Sequence, residues 1–201
     1  MKAWTERLLR CLIAFAAVLS LAACEEGMGV VATDDPHEML AQAHDLDSSG
    51  RVMRARQQVE KAIPILKARN DKAGLADAYR LYGFIAGEGG LGADPAITRD
   101  PRAPIVPTRE NAELAIGYFE QAVAFATEAD EPDRVSNIYF ILGNYASLAG
   151  DLQKGCRYYD LSLKASQDAQ SRQPGLKVEL PAGFRNFGEL VARAKHDAHC
   201  P

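Results

Sequence analysis

Residues 137–166 read NIYFILGNYASLAGDLQKGCRYYDLSLKAS. Apolar and small side chains recur every three or four positions on both sides of a Gly150-Asp151 break. Tyr139, Leu142 and Gly143 share one face of a helix, and Gly155, Tyr159 and Ser162 share one face of the next. Gly150 suits the left-handed position that ends a helix, and Asp151 suits the cap that starts another. Gly143 and Gly155 predict a close crossing of the two backbones, with Tyr139, Leu142, Tyr159 and Leu163 filling the space between them. The segment reads as a pair of antiparallel helices.

The pattern repeats upstream. Residues 55–86 and 115–146 align at an offset of 60, placing Ala55, Val59, Ala62, Tyr79 and Gly83 on Ala115, Phe119, Ala122, Tyr139 and Gly143. A partial first copy runs from Met39, which lies 40 residues before Tyr79. The period is therefore 40, with 20 residues added in the second copy. Those residues show as composition: 87–108 (GEGGLGADPAITRDPRAPIVPT) contains four glycines and four prolines. Such density supports neither helix nor strand, so a long loop is expected between the two helices of the second pair. Loops beyond about 12–15 residues are usually functional or disordered, and this one is expected to be dispensable for folding.

Tyr139-x-x-Leu142-Gly143, Gly150-Asp151 and Gly155-x-x-x-Tyr159-x-x-Ser162 resemble a tetratricopeptide repeat. The resemblance extends over residues 36–168 and implies an all-α solenoid of three antiparallel helix pairs. It departs from the family in its period, 40 against the usual 34, in Gln42-Ala43 where the other copies have Tyr82-Gly83 and Leu142-Gly143, and in the insertion. Asp35-Pro36 reads as the cap and first position of the first helix. Residues 169–201 read as a linker and a capping helix from Pro181 to Cys200. Its apolar face is Phe184, Phe187, Leu190, Val191 and Ala194, covering the end of the array.

The other end of the chain carries a second resemblance. Lys2, Arg7 and Arg10 precede an apolar run from Cys11 to Leu21, which is short for a membrane span of about 20 residues. The run closes on Leu21-Ala22-Ala23-Cys24, which resembles the lipobox of bacterial lipoproteins. That implies a signal peptide over 1–23, a lipid-bearing Cys24 and a tether over 24–35. It also implies a membrane attachment through the lipid and export beyond the cytoplasmic membrane. Glu25 rather than Asp follows the cysteine, so the outer membrane, facing the periplasm, is the expected address. The whole chain has 23 Lys+Arg and 27 Asp+Glu. Removing three bases and one acid with the signal leaves 20 − 26 = −6, which argues against nucleic acid as a partner.

The tetratricopeptide resemblance implies that the first helix of each pair lines a concave groove. On this chain those positions are His37, Leu40 and His44; Asp77, Arg80 and Phe84; and Asn137, Phe140 and Asn144. Each triplet is spaced three then four and forms a column along its helix. Phe84 and Phe140 suit the role of partner anchors, unless the insertion or the capping helix covers them. Repeat lipoproteins of this kind resemble assembly factors, so the expected partner is a protein or peptide of the cell envelope. A small-ligand or metal-binding envelope lipoprotein is the alternative.

Other motifs carry less. Gly87-x-Gly89-x-x-Gly92 has dinucleotide-loop spacing but lacks the preceding strand that the motif requires. His196, His199 and Cys200 have metal-ligand chemistry, yet four ligands make a structural site. His37 and His44 show no acid partner in the sequence, and no nucleophile motif is present, so neither catalytic residues, a metal nor a cofactor is expected. Cys156 and Cys200 are expected to form a disulfide in an oxidising compartment, with two free thiols as the alternative.

Overall fold

In the computed structural model, residues 31–91 and 107–201 are described; Cys24, its lipobox and residues 92–106 lie outside them. Among the described residues there are seven helices and no strand. They are α1 Pro36–Ser48, α2 Val52–Ala68, α3 Lys72–Gly87, α4 Arg109–Glu128, α5 Pro132–Leu148, α6 Leu152–Arg172 and α7 Phe187–Asp197. Each helix packs on the next, in the pairs α1/α2, α3/α4 and α5/α6, and α7 closes on α6. The described residues thus form an all-α array of antiparallel helix pairs with a terminal capping helix, its helices all within the unit Asp35–Pro201.

The turns follow from local chemistry. Gly50, Asn70, Asp130 and Gly150 all take positive φ, at 77°, 51°, 57° and 84°, and each ends one helix three residues or fewer before the next. Glycine adopts this region freely, and Asn and Asp are the side chains that tolerate it best. The Asp151 carboxylate accepts a 3.0 Å bond from Lys154 N–H, and Asp71 accepts one of 2.8 Å from Gly74 N–H. Asp35 with Pro36 starts α1 as expected, the carboxylate accepting from His37 N–H.

Close packing within pairs rests on glycine opposite a ring. A Cβ on Gly83 would stand 2.6 Å from the Phe119 ring, and one on Gly143 would come closer still to the Tyr159 ring. Both distances are below any real contact, so Gly83/Phe119 and Gly143/Tyr159 are the same joint in successive pairs. Ala43 and Val59 hold those positions in the first pair, both fully buried. A valine in place of the ring leaves room for a methyl group, which accounts for the departure at Ala43. Ser136 and Ser162 form a second joint between α5 and α6. Each buried hydroxyl donates to the other residue's carbonyl, at 3.0 and 2.8 Å.

Two expectations need correction. The insertion does not begin as a free loop at Gly87. Gly87 is the last residue of α3, and Tyr145 fills the place its side chain would take. Gly90 is buried against Val52 and Ile85, and Leu91 packs on the core while its carbonyl accepts from Arg56. The first five residues of the insertion therefore belong to the fold. The capping helix is also shorter than expected. Gly183 turns at φ 98°, and Asn186 caps Glu189 N–H at 2.9 Å, so α7 starts at Phe187 and Phe184 precedes it.

Candidate functional site

The first helices α1, α3 and α5 supply the predicted groove columns, and the structure divides these among three clefts. The first, about 270 Å³, is lined by His37, Leu40, His44, Asp77, Arg80 and Phe84, with Asp47 and Leu81. The second, about 400 Å³, takes Asp77 and Arg80 from its other side and adds Asp133, Arg134 and Asn137. Asn144 lines a third cleft beside α7, with Leu148, Leu152 and Leu190.

Asp77 and Arg80 join the first two clefts. The Asp77 carboxylate lies 2.7 Å from Arg134 Nη1 and 3.8 Å from Arg80 Nη2. Arg134 is fully engaged: it also donates to the Ala73 carbonyl at 3.0 Å and pairs with Glu131 at 3.0 Å. Arg80 is held loosely. Among the described residues its contacts are the long pair to Asp77 and a place over the Phe84 ring at 6.0 Å. Burial pushes its pKa down, the Asp77 charge opposes this and the Arg134 charge adds to it. A guanidinium remains charged under all these influences. Arg80 is thus a cation with spare donors, at the point where two clefts meet.

The two aromatic candidates are packed rather than free. Phe84 meets the Phe119 ring edge-on at 5.1 Å, with Tyr145 at 6.5 Å. Phe140 contacts Tyr159 at 5.9 Å and the capping helix through Phe187 at 5.8 Å. The reason is tertiary: α7 buries Phe187 and Val191 against this end of the array, and Phe140 joins that cluster. Asn144 is likewise committed, accepting the Tyr159 hydroxyl at 2.8 Å. The third column therefore contributes mainly Asn137 to the open groove.

Three participants escaped the sequence reading. His37 has an acid partner after all, Asp71 at 2.7 Å, which ties α1 to the start of α3. The Asp71 pKa is lowered, chiefly by the bond from Gly74 N–H and further by His37. Arg134 bridges α5 to α3 from outside the expected triplets. Leu176, Lys177, Val178 and Glu179, in the link before α7, run along the second cleft and form one of its walls. None of these pairings has a sequence signature, because each partner comes from a different helix. Compared with known proteins, the chain matches no family model, and no curated protein matches its sequence.

Cys156 and Cys200 are bonded, with sulfurs at 2.01 Å and α-carbons 5.6 Å apart. The expected pairing is present, and it removes Cys200 as a thiolate ligand beside His196 and His199. Gly87 is the last residue of a helix and is not preceded by a strand, which is the wrong context for a phosphate loop.

Proposed function

We propose that the chain is a membrane-anchored interaction module of the bacterial cell envelope. Its array is of the tetratricopeptide type, and it binds a protein or peptide partner along the clefts of α1, α3 and α5. The observation that carries this reading is the meeting of two clefts at Asp77 and Arg80. There a partly buried guanidinium keeps donors available in a concave surface built from all three helix pairs. An extended segment laid across the clefts would meet alternating polar and apolar ground: His37 and His44, then Leu40 and Phe84, then Arg80 and Asn137. The lipid on Cys24, suggested by Leu21-Ala22-Ala23-Cys24, would hold the module to the membrane, with the outer membrane as its address and the periplasm as its compartment. Two acyl chains anchor stably where one is marginal.

Photo-crosslinking in intact cells tests the groove. Crosslinkers at His44 and Arg80 are expected to capture the same protein, and one at the exposed Gln121 of α4 is expected to miss it. Equal capture from all three positions would refute the groove. Cys24→Ser tests the anchor: it should abolish acyl labelling and release the chain from membranes. Retained membrane association would refute lipidation at that residue.

A further inference from the structure

On the opposite face of α3 from Arg80, a cleft of about 290 Å³ is lined by Glu60, Ile63, Tyr79, Tyr82 and Tyr118. Its counterpart one repeat later shows what such a site holds. Glu60 of α2, Tyr79 of α3 and Tyr118 of α4 correspond to Glu120 of α4, Tyr139 of α5 and Tyr158 of α6. At that second site Lys154 supplies an ammonium. Its Nζ lies 2.9 Å from Glu120 Oε1 and 5.6 Å from the centre of the Tyr158 ring, and the Tyr158 hydroxyl donates to the same carboxylate at 2.6 Å. Carboxylate and ring face together form a cation site.

At the first site the residue corresponding to Lys154 is Leu114, an apolar side chain 45% exposed. Among the described residues no lysine pairs with Glu60, whose salt bridge is to Arg56. Arg56 reaches Glu60 from within α2, but both Arg56 Nε and the Tyr82 hydroxyl bond to Oε1, each at 2.8 Å. Glu60 Oε2 has no further partner among the described residues. Arg56 also donates to the Leu91 carbonyl at 2.9 Å. The site also has one ring more than its counterpart, because Tyr82 stands where Leu142 does, and it packs on Tyr118 at 4.7 Å. Tyr79 already attracts one cation, with Lys67 Nζ 5.9 Å from its centre.

We propose that this cleft binds the ammonium of a lysine side chain from a partner protein, held by Glu60 Oε2 and the Tyr79, Tyr82 and Tyr118 rings in the way the chain holds its own Lys154. The site is independent of the groove and stands or falls separately from it. Nα-acetyl-lysine methylamide is the probe, titrated onto the oxidised protein while ring proton shifts are followed. Nα-acetyl-norleucine methylamide, which has the same length without the charge, is the control. The lysine amide is expected to move the Tyr79, Tyr82 and Tyr118 signals and the norleucine amide to leave them in place. Leu114→Lys rebuilds the Lys154 arrangement at an exposed position and should fill the cleft from within, weakening the probe about tenfold with helicity unchanged. A cation–ring contact of about 1–2 kcal/mol corresponds to that factor. Equal binding of the two amides, undiminished binding to the Leu114→Lys protein, or no shift at these rings would each overturn the proposal.

Discussion

Replacing Gly143 by Ala sets two known effects against each other. In an open helical position the change stabilises by about 0.5–1 kcal/mol, because alanine restricts the unfolded chain. Gly117 in α4 offers that case, since a Cβ there meets nothing within 4 Å. At Gly143 the same methyl would overlap the Tyr159 ring. The ring cannot yield easily: it is 2% exposed, and its hydroxyl is bonded to Asn144. Overpacking of this kind costs about 1–3 kcal/mol. Relative to Gly117→Ala, Gly143→Ala should therefore be less stable by about 1–3 kcal/mol. At about 2–4 °C per kcal/mol for a domain of this size, the melting midpoints should lie roughly 2–12 °C apart. Thermal and urea unfolding followed by helical circular dichroism reads the difference. The decisive arm is Gly143→Ala in a Tyr159→Val background, which reproduces the Ala43/Val59 arrangement of the first pair. There the alanine should be neutral or stabilising. An equal penalty in both backgrounds, or a stabilising Gly143→Ala in the parent protein, would refute the glycine-and-ring account of the repeat joint.

Cys200→Ser opens a loop of 44 residues, so chain entropy sets a ceiling of about 4 kcal/mol on its cost. The first loss should be local, because an eleven-residue helix such as α7 does not persist alone; hydrogen exchange over α7 and alkylation of Cys156 would both report it. Acid should loosen the array. The Asp71 pKa is depressed by the Gly74 N–H and the Glu60 pKa by Arg56, so their stabilisation is present above the ordinary carboxylate range and is lost as pH falls through the lowered values. Urea midpoints measured from neutral pH downward should fall with pH there, with a weaker dependence in Asp71→Asn. Shortening the insertion beyond Leu91 should keep helicity and unfolding midpoint, whereas a deletion starting at Gly87 should lower both, since Gly87 and Gly90 are buried.

How much was legible depended on the range over which each signal acts. The helix pairs, their order, the caps at Asp35 and Asp151 and the turn at Gly150 are written in residues within a few positions of one another. Periodicity and capping are local properties, and the chain states them outright. The disulfide was also within reach, because antiparallel order brings the end of the last helix back to the start of the one before it. The turns at Asn70 and Asp130 carried a weaker mark, since Asn and Asp enter the left-handed region less often than glycine. Tertiary packing alone decided the rest. Phe140 has the spacing of a groove residue, yet α7 takes it into the cap, and Asn144 gives its acceptor to Tyr159. Gly87 to Leu91 have the composition of a loop and are drawn into the core because small residues fit against Tyr145, Val52 and Ile85. The Asp77–Arg134 and His37–Asp71 pairs join helices far apart in the chain, where no spacing rule applies. Sequence periodicity determines which face of a helix is apolar; which neighbour comes to cover that face is settled only when the helices stack.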